Sequence, residues 1–262
     1  MKKIMIFNQK GGVGKSTITA NLAGCLEKYH RKKVLVIDCD AQSNVSSYLT
    51  AIGEENGQYN TSNNLCDFLE GKIDDIGDII YNYKRISGKN LLDTKIDVIP
   101  AGMRLDEVDI ADIYVLKSIT DMLEKRYDIC LFDCPPQKTE IAKCALAVSD
   151  YVIVPAQADI DSVQGWRMVV DLVDKFRNEG INKHVYLLGL VLNEYSKNGA
   201  LDKYMMNVYN ELFGDYVFKS TIRSSKAIKQ ARFFGKTICD YKKSSIQEDF
   251  EDLAKEVLKK IK

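Results

Sequence analysis

The stretch from residue 10 to residue 17 reads KGGVGKST and decides the fold. It contains the pattern GxxxxGK[ST], whose glycines let the backbone curl so that its N–H groups point inward at phosphate oxygens. The strand-like run KIMIF precedes the pattern and an amphipathic helical pattern follows it, which is the context that such a loop requires. The dipole of the following helix favours an anion at its first turn. We therefore predict a phosphate-binding loop formed by Gly11, Gly12, Val13, Gly14, Lys15, Ser16 and Thr17.

In this motif the lysine, Lys15, reaches the β- and γ-phosphates of a nucleotide, and the hydroxyl of Ser16 ligates Mg²⁺. Acidic residues follow two apolar runs: KVLVID ends at Asp38, and YDICLFD ends at Asp133. The carboxyl ends of parallel strands form the edge at which open α/β sheets bind ligands. An aspartate there can instead cap a following helix, but several beside a phosphate loop favour a metal site. We predict that Asp133 holds Mg²⁺ through its water shell.

Apolar runs alternate with helical patterns along the rest of the chain. The strand-like runs are KIMIFN, KVLVID, IDVIP, YDICLFD, YVIVPA, HVYLLGLVLN and the short VFKSTI. The helical patterns lie near 15–29, 114–126, 139–148, 162–178, 200–213, 224–234 and 244–261. Continuous Val/Ile/Leu runs are typical of parallel strands that are covered on both faces. We predict an α/β fold with a doubly wound, mostly parallel sheet flanked by helices, in a single domain over 1–262, with residues 50–95 as a peripheral excursion.

The composition is that of a globular protein with a large core, because 45% of the residues are hydrophobic and 28% are charged. Thirty-seven basic residues balance 37 acidic ones, so binding to nucleic acid or membrane would need a local patch. The seven cysteines include no CxxC pair and no Cys/His cluster, which favours reduced, buried thiols over a zinc site. The N-terminal apolar stretch is too short for a signal peptide, and no run reaches the length of a membrane span. We expect a cytoplasmic protein.

The motifs together resemble the ParA/Soj/MinD family of partition and positioning ATPases, which are P-loop proteins of the deviant Walker A (SIMIBI) class. The matching segments after KGGVGKST are DCDAQSN at 38–44, IPAG at 99–102, YDICLFDCPP at 127–136, VPAQAD at 154–159 and LVLN at 190–193. The resemblance extends over the whole chain and favours the ParA/Soj branch. Relatives often have proline where this chain has Ala41, and many have proline where it has Arg223.

The resemblance implies ATP and Mg²⁺ as cofactors, an ATP-dependent homodimer and slow hydrolysis that a ParB-like centromere-binding partner stimulates. It also assigns roles to single residues. Lys10, the extra lysine before the glycines, would reach across an ATP-sandwich dimer to the partner's phosphates, as an arginine finger does. Asp40 would position the attacking water, with Asp133 in the Mg²⁺ shell and Asp38 as a further metal residue nearby. Asn193 would contact adenine.

A local basic patch lies near the end of the chain, where residues 219–236, KSTIRSSKAIKQARFFGK, hold six basic residues and no acid. At 100° per residue the small and apolar side chains gather on one side of a helix, and basic side chains spread over the other. Solvated helix faces usually mix both signs of charge. Together with the resemblance, this predicts sequence-independent binding of a nucleoid-associated protein to the DNA backbone. The predicted DNA-binding residues are Arg223, Lys226, Lys229 and Arg232.

Other functions remain open from the sequence. A MinD-like positioning ATPase would bind a membrane through its C-terminal helix, but residues 244–261 begin with acids and end with lysines, which complements the helix dipole of a packed helix. We therefore expect no stable membrane association. An iron–sulfur protein would need a cysteine partner for Cys134, and a tyrosine kinase would carry a C-terminal tyrosine cluster that the sequence lacks. An ATP-controlled adaptor without turnover also fits the motifs.

Overall fold

The computed structural model describes residues 1–50, 63–87, 90–241 and 244–261. Its strands are β1 (Lys2–Ile6), β2 (Val34–Asp38), β3 (Tyr81–Ser87), β4 (Asn90–Ile99), β5 (Ile129–Asp133), β6 (Tyr151–Ala156) and β7 (Tyr186–Leu192). Its α-helices are α1 (Lys15–His30), α2 (Asn44–Thr50), α3 (Leu65–Leu69), α4 (Val115–Leu123), α5 (Glu140–Val148), α6 (Ile160–Asn178), α7 (Ala200–Phe213), α8 (Lys226–Phe233) and α9 (Ser245–Lys260).

The strands form one sheet with the order β3-β4-β2-β5-β1-β6-β7. All neighbouring strands are parallel except β3, which runs antiparallel to β4 at one edge. Buried side chains of α1, α2, α8 and α9 cover one face of the sheet, and those of α4, α5, α6 and α7 cover the other. The predicted α/β fold, a doubly wound and mostly parallel sheet flanked by helices, is confirmed.

The ends of the central strands position the candidate site. Every residue of β2 and of β5 is buried, as expected for parallel strands with both faces covered. Their last residues, Asp38 and Asp133, are partners in the strand register, and Ile6 at the end of β1 is also paired with Asp133. The phosphate-binding loop therefore leaves β1 directly beside two buried carboxylates.

Two local predictions were wrong. VFKSTI forms no strand: Val217 makes only an isolated bridge to Leu190 of β7, and Arg223, the residue after the run, makes one to Tyr195. The stretch near 50–95 is more than an excursion, since it contributes α3 and the β3–β4 hairpin to the fold, although residues 51–62 and 88–89 lie outside the described part. The first four residues of β4, Asn90–Asp93, are exposed, so no buried run in the sequence indicates that the strand begins before IDVIP.

The prediction that all cysteines are reduced is also wrong for one pair. Cys25 on α1 and Cys239, in a short 3₁₀ turn after α8, are joined by a disulfide with their Cα atoms 6.2 Å apart. The pair is separated by 214 residues, so no local spacing indicates it. The other five cysteines are free and buried, as expected for small core residues.

The C-terminal helix is packed, as predicted. Ile246, Phe250, Leu253 and Val257 are buried, and α9 packs against α1. Its apolar face is therefore used within the fold. Among the described residues, no helix has the length and the apolar character needed to cross a membrane.

Candidate functional site

The loop between β1 and α1 has the backbone that its glycines predict. Gly12 and Gly14 have positive φ angles of 77° and 90°. A Cβ atom on Gly14 would lie 2.1 Å from Nδ2 of Asn193, so both the backbone conformation and the available space require glycine there. No side chain caps the N-terminus of α1, which leaves its first N–H groups available to an anion.

Lys15 is 7% exposed, and its ammonium group donates to the backbone carbonyls of Asn8 and Lys10, both at 3.1 Å. Burial lowers the pKa of Lys15, while the carboxylates of Asp133 and Asp40 act in the opposite direction. The lysine is thus held at the loop by carbonyl oxygens that a phosphate can replace.

Asn8 lies just after β1, is fully buried, and supports the phosphate loop through hydrogen bonds. Its side chain donates to the carbonyl of Pro155 at 2.7 Å and accepts from the backbone N–H of Lys10 at 3.0 Å. These bonds tie the phosphate loop to β6. Asn8 belongs to no part of the motif, and only its place between a strand and the glycines could have indicated its role.

Asp133 is the residue that best fits a metal. Thr19 donates to its Oδ1 at 2.9 Å, but Oδ2 is buried without a hydrogen-bond partner among the described residues. Burial raises the pKa of Asp133 to about 6, although the nearby hydroxyls of Ser16 and Thr19 lower it. An orphaned carboxylate oxygen beside a hydroxyl is a suitable donor set for Mg²⁺, which takes few protein ligands and completes its shell with water and phosphate. The described residues contain no cluster of three metal-ligating side chains, so a larger all-protein cage is absent from that part of the chain.

Asp38 is placed differently from the prediction that made it a metal residue. Its Oδ1 accepts from the N–H of Asp40 at 3.0 Å, and its Oδ2 accepts from the N–H and the hydroxyl of Ser46 at 3.0 and 2.5 Å. Burial, and then the neighbouring Asp133, raise its pKa well above the ordinary value. Both carboxylate oxygens of Asp38 therefore accept hydrogen bonds from the loop that follows β2, and Asp38 stabilises that loop.

That loop carries Asp40, whose side chain lines the chamber above the phosphate loop. Its Oδ1 accepts from the N–H of Gln42 at 2.9 Å, and its backbone carbonyl accepts from the N–H of Ser43 at 2.7 Å. Ser43 has a φ of 51°, an uncommon conformation for a residue other than glycine. The loop is thus a tight turn that presents the carboxylate of Asp40 towards the chamber.

Lys10 has partners in its own chain. Its ammonium group lies 2.5 Å from Oδ2 of Asp159 and 3.9 Å from Oδ2 of Asp161, at the N-terminus of α6. Asp159 also caps that helix by accepting from the N–H of Ser162 at 2.8 Å. Neither aspartate was predicted as a site residue, and only the helix-capping pattern of DIDS in the sequence draws attention to Asp159.

The four predicted DNA-binding residues line the same chamber as the phosphate loop, a cavity of about 740 Å³. Arg223 is bound to Asp249 through both carboxylate oxygens at 2.6 to 3.0 Å. Arg232 donates to the side-chain oxygen of Asn44 at 2.8 Å. Lys226 and Lys229 are exposed, and neither has an ion pair within the described ranges. The two arginines are thus engaged within the chain, and the two lysines are available.

Asn193 closes the chamber at the end of β7 and is 4% exposed. Its Nδ2 donates to the carbonyl of Val13 at 2.9 Å, while its Oδ1 is buried and has no partner in the part of the chain described. An acceptor of this kind suits an amino group of a bound base. The prediction that Asn193 contacts adenine therefore has a geometric basis.

A glycine-rich loop at the carboxyl edge of a parallel sheet, above a buried lysine and a buried carboxylate, defines the class of P-loop nucleotide hydrolases. Residues 1–187 match the family model AAA_31, described as an AAA domain. The chain is 31% identical over 263 residues to the sporulation initiation inhibitor protein Soj of Bacillus subtilis, with 98% of both chains covered. It therefore belongs to the ParA/Soj family of partition ATPases.

Two further comparisons agree. The chain is 29% identical over 262 residues to the chromosome-partitioning ATPase Soj of Thermus thermophilus, covering 100% of this chain and 97% of that one. A solved structure of a plasmid partition protein from Borrelia burgdorferi, bound to AMPPNP, has a TM-score of 0.78 and 27% identity, with 99% of both chains covered. The similarity extends over the whole chain and includes the elements that form the chamber.

Proposed function

We propose that this protein is a Mg²⁺-dependent ATPase that dimerises around ATP, binds DNA without sequence preference and drives the partition of a plasmid or chromosome. The observation that carries the ATPase role is the phosphate loop beside a buried oxygen of Asp133 that has no hydrogen-bond partner among the residues described. The Thermus thermophilus relative is a chromosome-partitioning ATPase and the Borrelia burgdorferi protein was solved with AMPPNP, and both support the choice of ATP.

In hydrolysis, the N–H groups of the loop bind phosphate, and Lys15 leaves its two carbonyls for the β- and γ-phosphates. Ser16 and Asp133 would hold Mg²⁺, which neutralises phosphate charge when it is bound. Asp40 orients the attacking water. This division leaves Asp38 as the residue that holds the Asp40 loop in place.

Dimerisation would complete the site. Lys10 directly precedes the glycines of the phosphate loop, and its ion pairs with Asp159 and Asp161 are partly exposed. In a dimer around ATP it would exchange these carboxylates for the phosphates of the partner's nucleotide. Hydrolysis would then depend on assembly, because the second cation reaches the phosphates only from the other copy.

The DNA-binding role is assigned to Lys226 and Lys229 of α8, which have no ion pair with any residue that the structure describes. Two such faces in one dimer would bind more strongly than one, so ATP would control DNA binding by controlling dimerisation. A ParB-like partner would stimulate hydrolysis and thereby release the protein from DNA. The MinD-like alternative is disfavoured because the apolar face of α9 is buried against α1.

The test is the affinity for random-sequence duplex DNA over a salt series, with ADP or a non-hydrolysable ATP analogue. We expect binding in the ATP state alone, with Lys229→Ala lowering the slope of log affinity against log salt by about 1 per subunit. Lys203→Ala on α7 is the matched control, since it removes an exposed charge away from the chamber. If ATP-bound protein shows no salt-sensitive affinity for DNA, the DNA role is wrong; if phosphate release equals that of Lys15→Ala, the ATPase role is wrong.

A further inference from the structure

One of the basic side chains of α8 spans the nucleotide chamber. Nη2 of Arg232 donates to Oδ1 of Asn44, the first residue of α2, at 2.8 Å, and both residues line the cavity. Ala231 is fully buried, which fixes the rotation of α8 and directs its next residue towards α2. The Arg232 charge also reaches Tyr48, one turn along α2: burial raises the pKa of Tyr48 to about 12, and Arg232 acts against that rise. The contact therefore joins two elements that are 188 residues apart.

The loop that Arg232 touches is the one that carries Asp40. It turns through Ser43, whose left-handed backbone persists only when surrounding contacts hold it. On the buried side of the loop, Asp38 accepts hydrogen bonds from both the N–H and the hydroxyl of Ser46. On its chamber side, the contact from α8 holds Asn44. Asp40 therefore lies in a loop that is held by Asp38 on one side and by Arg232 on the other.

We propose that Arg232 is a positioning residue for hydrolysis, which holds the Asp40 loop in its reactive place through Asn44. This rests on the proposed ATPase function. The guanidinium group of Arg232 donates a hydrogen bond to Asn44 in the Asp40 loop. Lys226 and Lys229 make no such contact within the described residues. Arg232 is thus assigned to the chemistry of the chamber, and the two lysines to DNA.

The experiment measures steady-state phosphate release over a range of ATP concentrations for Arg232→Ala and Asn44→Ala. We expect kcat to fall about three- to tenfold in each, the range that the loss of one hydrogen bond allows, with KM within about twofold of wild type. The double variant should have the kcat of the single variants, because both changes remove the same contact. A displaced Asp40 loop lowers the rate without weakening nucleotide binding, since the phosphate loop is unchanged.

Two further variants separate positioning from charge and from folding. Arg232→Lys can still donate to Asn44 and should recover at least half of the wild-type kcat. Lys236→Ala removes a charge from the same basic stretch but not from the chamber lining, and should leave kcat unchanged. Thermal unfolding midpoints within about 3 °C of wild type would show that all variants fold.

Three results would overturn the proposal. The first is a wild-type kcat in Arg232→Ala; the second is a raised KM with unchanged kcat, which would mean that Arg232 binds nucleotide directly. The third is additive loss in the double variant. None of these affects the proposed function, which fails instead if wild-type protein releases no phosphate above Lys15→Ala. DNA affinity in Arg232→Ala should stay within about twofold of wild type, while Lys229→Ala loses affinity.

Discussion

The ion pair between Lys10 and Asp159 holds the lysine that would enter a partner's site, so it opposes dimerisation. Asp159→Asn should weaken this hold selectively. Asparagine removes the charge but keeps an oxygen that accepts from the N–H of Ser162, so the cap of α6 is retained. Asp161, at 3.9 Å, remains as a weaker partner.

The expected change in dimer affinity follows from the exposure of the Lys10–Asp159 ion pair. The side chain of Lys10 is 26% exposed and that of Asp159 is 32% exposed. Partly exposed ion pairs contribute about 0.2 to 1 kcal/mol. A two-fold symmetric dimer breaks the pair once in each subunit, so the dimer gains about 0.4 to 2 kcal/mol in Asp159→Asn. At about 1.4 kcal/mol for each factor of ten, the dimer dissociation constant should fall about two- to thirtyfold.

Sedimentation velocity with a non-hydrolysable ATP analogue measures this constant directly. Asp171→Asn is the matched control, since it makes the same charge change at an exposed position of α6 away from Lys10. The effect should shrink at high salt, because surface charges are screened. An unchanged or weaker dimer in Asp159→Asn, with normal folding and nucleotide affinity, would refute the role of this pair in holding Lys10.

Three other predictions concern the chamber and its supports. Asp40→Ala should slow phosphate release about a hundredfold or more while prolonging the life of the ATP-bound dimer, measured by single-turnover hydrolysis and dimer dissociation; dissociation at the wild-type rate would contradict its role. Because burial raises the pKa of Asp133 to about 6, the contribution of Asp133 to the stability of the metal-free fold should be fully present below about pH 4 and fall by up to about 3 kcal/mol as the pH rises through 6; the loss of stability between pH 5 and 7.5, measured by urea unfolding, should be smaller in Asp133→Asn. Reducing the disulfide between Cys25 and Cys239, which closes a loop of 214 residues, should cost at most about 5 kcal/mol and lower the unfolding midpoint by about 10 °C, and Cys239→Ser should remove the response to reductant.

Local patterns were sufficient to predict the parallel strands and the phosphate loop, but not the antiparallel edge strand β3. The glycines, Lys15 and the strand-end carboxylates lie in short segments whose chemistry depends on neighbours in sequence. The strand ends then brought Asp38 and Asp133 together because parallel strands share a carboxyl edge. The direction of each side chain was not predictable in this way, and Asp38 turned inward to Ser46.

The missed contacts of the basic residues join segments that are far apart in the sequence. Lys10 meets Asp159 across 149 residues, and Arg223 meets Asp249 across 26. A helical wheel identified the basic side of α8, but it could not show that this side faces the phosphate loop. Nor could it show that Arg232 donates to Asn44, or that Arg223, which precedes α8, forms an ion pair with Asp249.

The position of α8 also constrains how ATP can control DNA binding. Lys226 and Lys229 share one chamber with the phosphate loop, so bound triphosphate places negative charge near the cations that would meet DNA. In a single subunit, ATP would then weaken the attraction for DNA rather than strengthen it. An ATP-dependent gain in affinity must come from a second patch, which can raise avidity by about a hundredfold or more. In the proposed mechanism, control of DNA binding by ATP would therefore require the dimer, and the dimer would require Lys10 to leave Asp159.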